Sequence, residues 1–244
     1  MDICAFLCSE SVASSHFLAK QRRFYRWTGV VDRMNTAIAL IGALACGIFI
    51  STYTAYILKP EQKSRMRVVA ITAVHLAIWG LLLLTRGFTT EFLFYALTSS
   101  ALIGLSIVDL AIFEIPVAFN WFILILGVIA TALDYKNWYV HLIGMFLVSG
   151  IFYLIALLTK GNGMGGGDIK LMATVGLLLG WQRILLVMVL GCILGAVIHS
   201  IVMAVSKKEH MLAFGPYLSV ATVIVMCWGD GILNWYIQHF LTFE

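Results

Sequence analysis

Apolar residues in this chain arrive in long blocks separated by short polar turns. Eight blocks stand out: Thr36–Leu58, Val68–Thr85, Glu91–Val108, Val117–Leu133, Tyr139–Thr159, Ile169–Gly180, Ile184–Ser206 and Met211–Trp228. Crossing a bilayer as a helix takes roughly 20 apolar residues, with a range of about 17–25. The sixth block is short and predicts a tilted or re-entrant helix. No block alternates as a barrel strand would, so helices are the remaining way to satisfy backbone polar groups in lipid. The pattern predicts an all-α, polytopic integral membrane protein with about eight transmembrane helices. Residues 1–34 read as a basic amphipathic segment and 35–244 as one membrane-embedded domain.

Composition narrows the class. Of 244 residues, 61% are hydrophobic and 11% charged, and the mean hydropathy is +0.97. Soluble domains carry about a quarter charged residues. A soluble globule of this size could not hide so much apolar surface, and a disordered chain has the opposite composition. Five cysteines are too sparse for a disulfide framework. Trp138, Trp181, Trp228 and Trp235 fall near predicted outer boundaries, as an aromatic belt would.

The net charge of +4 reads as loop charge, with the lipid bilayer and no nucleic acid as partner. Suppose the connection after the first span is cytoplasmic. The inner loops then hold Lys59, Lys63, Arg65, Arg67, Lys160, Lys170, Lys207 and Lys208, and the outer loops only Arg86, Lys136 and Arg183. The basic N-terminal segment, with Lys20, Arg22, Arg23, Arg26 and Arg33 among Phe24, Tyr25 and Trp27, opposes this bias. A place at the headgroup boundary suits it.

Two carboxylates are out of place. An ionisable residue at membrane depth costs about 2.5–3.5 kcal/mol on insertion scales, which makes it a functional candidate. Asp109 ends the third block and Asp168 opens the sixth; on this topology both lie at the cytoplasmic end. Two carboxyls held together share one proton. The ionised one activates a water, while the protonated one binds a carbonyl oxygen and later protonates the departing amine. The plain structural alternative for Asp168 is a helix N-cap. Gly161, Gly163, Gly165, Gly166 and Gly167 leave the backbone free to take positive φ and to approach an extended peptide. The Gly-Lys-Ser/Thr spacing of a phosphate loop is missing. His75 and His199 lie in mid-block without a carboxylate one turn away, so no metal is expected; Asp134 and Asp230 read as solvated loop residues. Ser11, Ser14 and Ser15 beside His16 lack the turn of a nucleophile elbow.

At these residues the chain resembles the type IV prepilin peptidases, the G-x-G-D membrane aspartic proteases. Asp109 is followed after six residues by Pro116, as in the family's D-x6-P, although Val117 stands where the family usually has Asn or Asp. The run Met164–Leu171 is similar to M-G-x-G-D-x-K-L. Phe214, Gly215, Pro216, Tyr217 and Leu218 match F-G-P-[FY]-L, and Gly47–Ile50 is faintly similar to G-S-F-[LI]. The resemblance implies a bacterial inner-membrane endopeptidase whose catalytic residues are Asp109 and Asp168. It implies hydrolysis after the short basic leader of type IV prepilins or pseudopilins at the cytoplasmic face, with no cofactor. Gly165, Gly166, Gly167, Pro116, Lys170, Glu114, Phe214, Gly215 and Pro216 are the expected loop and substrate-binding residues. Bifunctional members carry two C-x2-C zinc pairs between spans 1 and 2 and N-methylate their product. Here that connection, about Lys59–Arg67, has no cysteine, and Cys4 and Cys8 stand at the wrong end, so peptidase activity alone is expected. The alternatives are a presenilin-type intramembrane protease, whose Pro-Ala-Leu motif is missing, and a proton- or ion-coupled transporter.

Overall fold

The computed structural model describes residues 34–58, 65–161, 164–206 and 213–240. The basic N-terminal segment, Cys4, Cys8, the Ser11–His16 cluster, Lys59, Lys63, Gly163, Lys207 and Lys208 lie outside them. Each apolar block forms a helix: α1 (Met34–Ile57), α2 (Arg65–Arg86), α3 (Thr90–Ile112), α4 (Val117–Leu133), α5 (Trp138–Leu158), α6 (Gly166–Leu179), α7 (Trp181–Ser206) and α8 (Gly215–Phe240). No strand occurs among the described residues.

The all-α, polytopic architecture is as expected, with a helix on each of the eight blocks. Among the described residues six helices (α1, α2, α3, α5, α7 and α8) are long and apolar enough to cross a membrane, and the chain is a multi-pass membrane protein. α4 is 17 residues, at the lower limit for a span. α6 has 14 residues and is about 21 Å long at 1.5 Å per residue, against roughly 30 Å of hydrocarbon.

α3 is the axis of the bundle. Phe92, Ala96, Leu102, Leu105 and Val108 on it are fully buried, and α2, α4 and α8 pack around it. Small residues set the closest approaches. Gly104 on α3 receives the ring of Phe119 from α4, and Gly144 on α5 meets Gly176 on α6 backbone to backbone, so a Cβ at either would overlap the other's carbonyl oxygen. α4 and α5 clasp α6. The indole N–H of Trp79 donates to Ser100 Oγ at 3.1 Å, tying α2 to α3.

α8 runs on past Trp228, which corrects the reading of Asp230 as a loop residue. Asp230 accepts from Arg86 Nη1 at 2.5 Å and from Arg183 Nε at 2.8 Å, and Arg183 Nη1 donates to the Tyr95 hydroxyl at 2.7 Å. Arg86, Tyr95, Arg183 and Asp230 tie four helices together at this end through charge-assisted hydrogen bonds. Asp134 is more exposed, as expected, and accepts from Asn137 Nδ2 at 3.0 Å. His75 is fully buried, with Nδ1 2.9 Å from the Ile71 carbonyl oxygen.

Candidate active site

Asp109 lies in the last turn of α3, not at its end. The helix closes at Phe113, whose φ of 54° is left-handed and whose N–H donates to the Asp109 carbonyl at 2.9 Å. The chain then reverses through Glu114 and Ile115 to Pro116, the N-cap of α4 at φ −60° and ψ 130°. The D-x6-P spacing is thus the length of a helix end, a reversal and a helix start. Proline suits the start because its φ is pre-set and it has no N–H to satisfy.

The Asp109 side chain is buried, and its Oδ2 accepts the backbone N–H of Gly215 at 3.0 Å. Gly215 is the first residue of α8, so the carboxylate meets the positive end of a helix. A Cβ on Gly215 would lie 2.7 Å from that oxygen, which accounts for glycine. Pro216 gives up an N–H that the first turn leaves unpaired in any case. Phe214 turns elsewhere: its ring lies 6.2 Å from that of Phe152 and covers Gly195.

Asp168 is the third residue of α6, after the N-cap Gly165. Its carboxyl folds back over Gly165, where a Cβ would lie 2.9 Å from Oδ2. Gly165, not Asp168, occupies the N-cap position, so the N-cap alternative is not met. Oδ1 of Asp168 is buried with no partner among the described residues. The glycines act differently from expectation. Gly165, Gly166 and Gly167 all keep ordinary φ, and the positive values fall at Gly161 (83°) and, against type, Lys160 (52°). Close approach is what Gly165 and Gly167 provide: a Cβ would meet Asp168 Oδ2 at 2.9 Å in the first case and Ile115 Cβ at 2.9 Å in the second.

Both aspartates line one cavity of about 300 Å³, together with Phe113, Glu114, Val117, the three glycines and Lys170. The carboxylates are near enough to repel each other directly. Sequence reasoning placed Glu114 and Lys170 on this cavity; Phe214 and Pro216 are not on its wall. It missed Ile115. That side chain lies between the starts of α6 and α8, touching the position of a Cβ on Gly167 and, at 3.4 Å, of one on Gly215. The only sequence signal was its place before Pro116. Among the described residues no three His, Cys, Asp or Glu side chains gather to hold a metal ion, and Cys46, Cys192 and Cys227 are free.

Residues 96–200 match the type IV leader peptidase family, a stretch that contains both aspartates. A prepilin leader peptidase/N-methyltransferase of Legionella pneumophila is 34% identical over 168 residues, 64% of this chain and 56% of that protein. Proteins of the same name from Aeromonas hydrophila and Pseudomonas aeruginosa are 38% and 37% identical over 100 and 97 residues, covering 34% and 33% of their lengths. The matches thus span between a third and just over half of these relatives. No solved structure matches.

Proposed function

We propose, from the premise that residues 96–200 match the type IV leader peptidase family, that this chain hydrolyses the leader from type IV prepilins or pseudopilins. The single observation that carries the reading is that Asp109 and Asp168 line one cavity, each beside a glycine that leaves room for its carboxyl. One carboxyl is ionised and takes a proton from water as the water oxygen attacks the scissile carbonyl. The other is protonated and hydrogen-bonds the carbonyl oxygen. When the C–N bond breaks, the departing amine takes a proton, and the pair returns to one shared proton. The two titrate as a unit, so neither role is assigned to one residue. Gly165, Gly166, Gly167, Glu114 and Lys170 line the same cavity as the two aspartates, which supports assigning the extended peptide to it.

The excess of Lys and Arg in the loops at this end supports a cytoplasmic site in the bacterial inner membrane. The relatives' name joins methylation to cleavage. We carry over cleavage alone, because the connection between α1 and α2 lacks cysteine. The test is coexpression with a type IV prepilin and mass spectrometry of the pilin N-terminus. The wild-type chain should yield a shortened, unmethylated product, and Asp109→Asn and Asp168→Asn should each leave the leader in place at normal protein levels. Full cleavage by both single variants would refute the reading.

A further inference from the structure

Phe113 holds a backbone conformation that its side chain disfavours. A left-handed φ crowds the Cβ of an L-residue against the following carbonyl oxygen, so a helix that closes this way usually does so on glycine, sometimes on asparagine. Two other helix ends in the chain follow that rule: Gly87 (φ 64°) comes directly after α2, and Gly180 (φ 81°) closes α6. Among the described residues only Phe113 and Lys160 take a positive φ without being glycine. For a bulky residue this is strain, and strain held at one place points to a use there.

The use is not core packing. Phe113 is 47% exposed, whereas Ile115, two residues on, packs against the core. Nor does an apolar contact with lipid call for it, because Leu110 and Ile112 are 61% and 46% exposed from ordinary helical positions in α3. What separates Phe113 from these two is the cavity of Asp109 and Asp168: Phe113 lines it, and they do not. Its N–H donates to the Asp109 carbonyl at 2.9 Å, which ties it one turn past the carboxyl. It is the only ring on a lining that also carries the charged groups of Asp109, Glu114, Asp168 and Lys170. An apolar surface set among charges and left half open gains when another apolar group covers it.

We infer that Phe113 is a specificity-determining residue, whose ring packs on the substrate side chain at the amine side of the scissile bond. The left-handed backbone is the strain that keeps the ring on the cavity. The amine side follows from the proposed substrate: its leader is basic, so the apolar neighbour of the cut is the first residue of the part that remains. The inference rests on the proposed leader cleavage and adds which enzyme side chain reads the size of that residue.

The test uses the full chain in detergent and a prepilin-type substrate with one basic leader and Ala, Leu or Phe as the first residue after the cut. The wild-type enzyme should favour Leu and Phe over Ala in kcat/KM. Phe113→Gly removes the ring and relaxes the backbone together, so stability and selectivity should part: the melting temperature should hold or rise, and the preference should fall about tenfold. Phe113→Asn, which also tolerates the left-handed region, should lose the preference too, and Phe113→Tyr should keep it. Each preference compares two substrates on one enzyme sample, so a poorly folding variant leaves the ratio readable. A wild-type enzyme indifferent to the series, glycine and asparagine variants that keep its preference, or a change confined to the residue on the carbonyl side would overturn the assignment. A wild-type chain that cuts no member of the series ends the proposed function, whereas normal cutting with an unaltered preference ends only the role of Phe113.

Discussion

Gly215 donates its backbone N–H to Asp109 Oδ2 at 3.0 Å, across 106 positions of sequence. Adding one methyl group here puts a carbon 2.7 Å from that oxygen and 3.3 Å from Cγ. Gly215→Ala should therefore displace the carboxyl. A misplacement of about 1 Å costs on the order of 100-fold in rate. Leader cleavage in detergent should fall by about that factor, with the protein still accumulating in the membrane. A variant that keeps full kcat would show that Asp109 does not need this contact.

Ile115 offers a paired test. A Cβ on Gly167 would lie 2.9 Å from Ile115 Cβ, so Gly167→Ala should push the α3–α4 reversal away from α6 and lower kcat about tenfold or more. Ile115→Gly removes all three obstructing carbons, Cβ, Cγ1 and Cδ1. The double variant with Ile115→Gly should regain most of the loss, a coupling that a double-mutant cycle measures. If the losses of the two single variants simply add, the wedge is not what holds the spacing.

The α5–α6 seam should answer in stability. Gly144 and Gly176 meet backbone to backbone, and no rotamer change relieves a clash with a carbonyl. Overpacking typically costs about 1–3 kcal/mol, and a rigid backbone contact belongs at the upper end. Gly176→Ala should melt several degrees lower in detergent, whereas Gly150→Ala, where a Cβ meets nothing, should not.

At the opposite end, Asp230→Asn should leave Arg86 and Arg183 without their shared carboxylate. Arg86 is the more buried of the two, at 13% side-chain exposure. A lost hydrogen bond to a charged group costs about 1.5–3 kcal/mol, less here because Asp230 itself is 41% exposed. The melting temperature should drop. kcat on a leader peptide should hold, because fifteen residues of α8 put Asp230 about 22 Å along the helix from Gly215. A selective fall in kcat without a fall in stability would link the two ends.

The helices were legible because lipid demands continuous apolar runs; α4 falls on Val117–Leu133 as its block predicted. Their ends were less so. Hydropathy stops at Trp228, but the helix continues because Asp230 is satisfied by two arginines that are distant in sequence. Likewise the apolar run at Ile169 hides a helix that begins at Gly166, since glycine carries no hydrophobic signal. The two aspartates were readable from their cost in lipid. What held them was not: Gly215 at Asp109, Gly165 at Asp168 and the Ile115 wedge are backbone and shape contacts, and no residue type announces them.

The brevity of α6 has one more consequence. α4 and α5 clasp this helix and most of its residues from Asp168 on are buried, so protein rather than lipid surrounds it and the bilayer need not follow its length. Its first turn carries Asp168 and opens on the cavity of about 300 Å³. The proposed hydrolysis consumes a molecule that oil excludes, and a short helix walled off from oil is the kind of element beside which that molecule is tolerated.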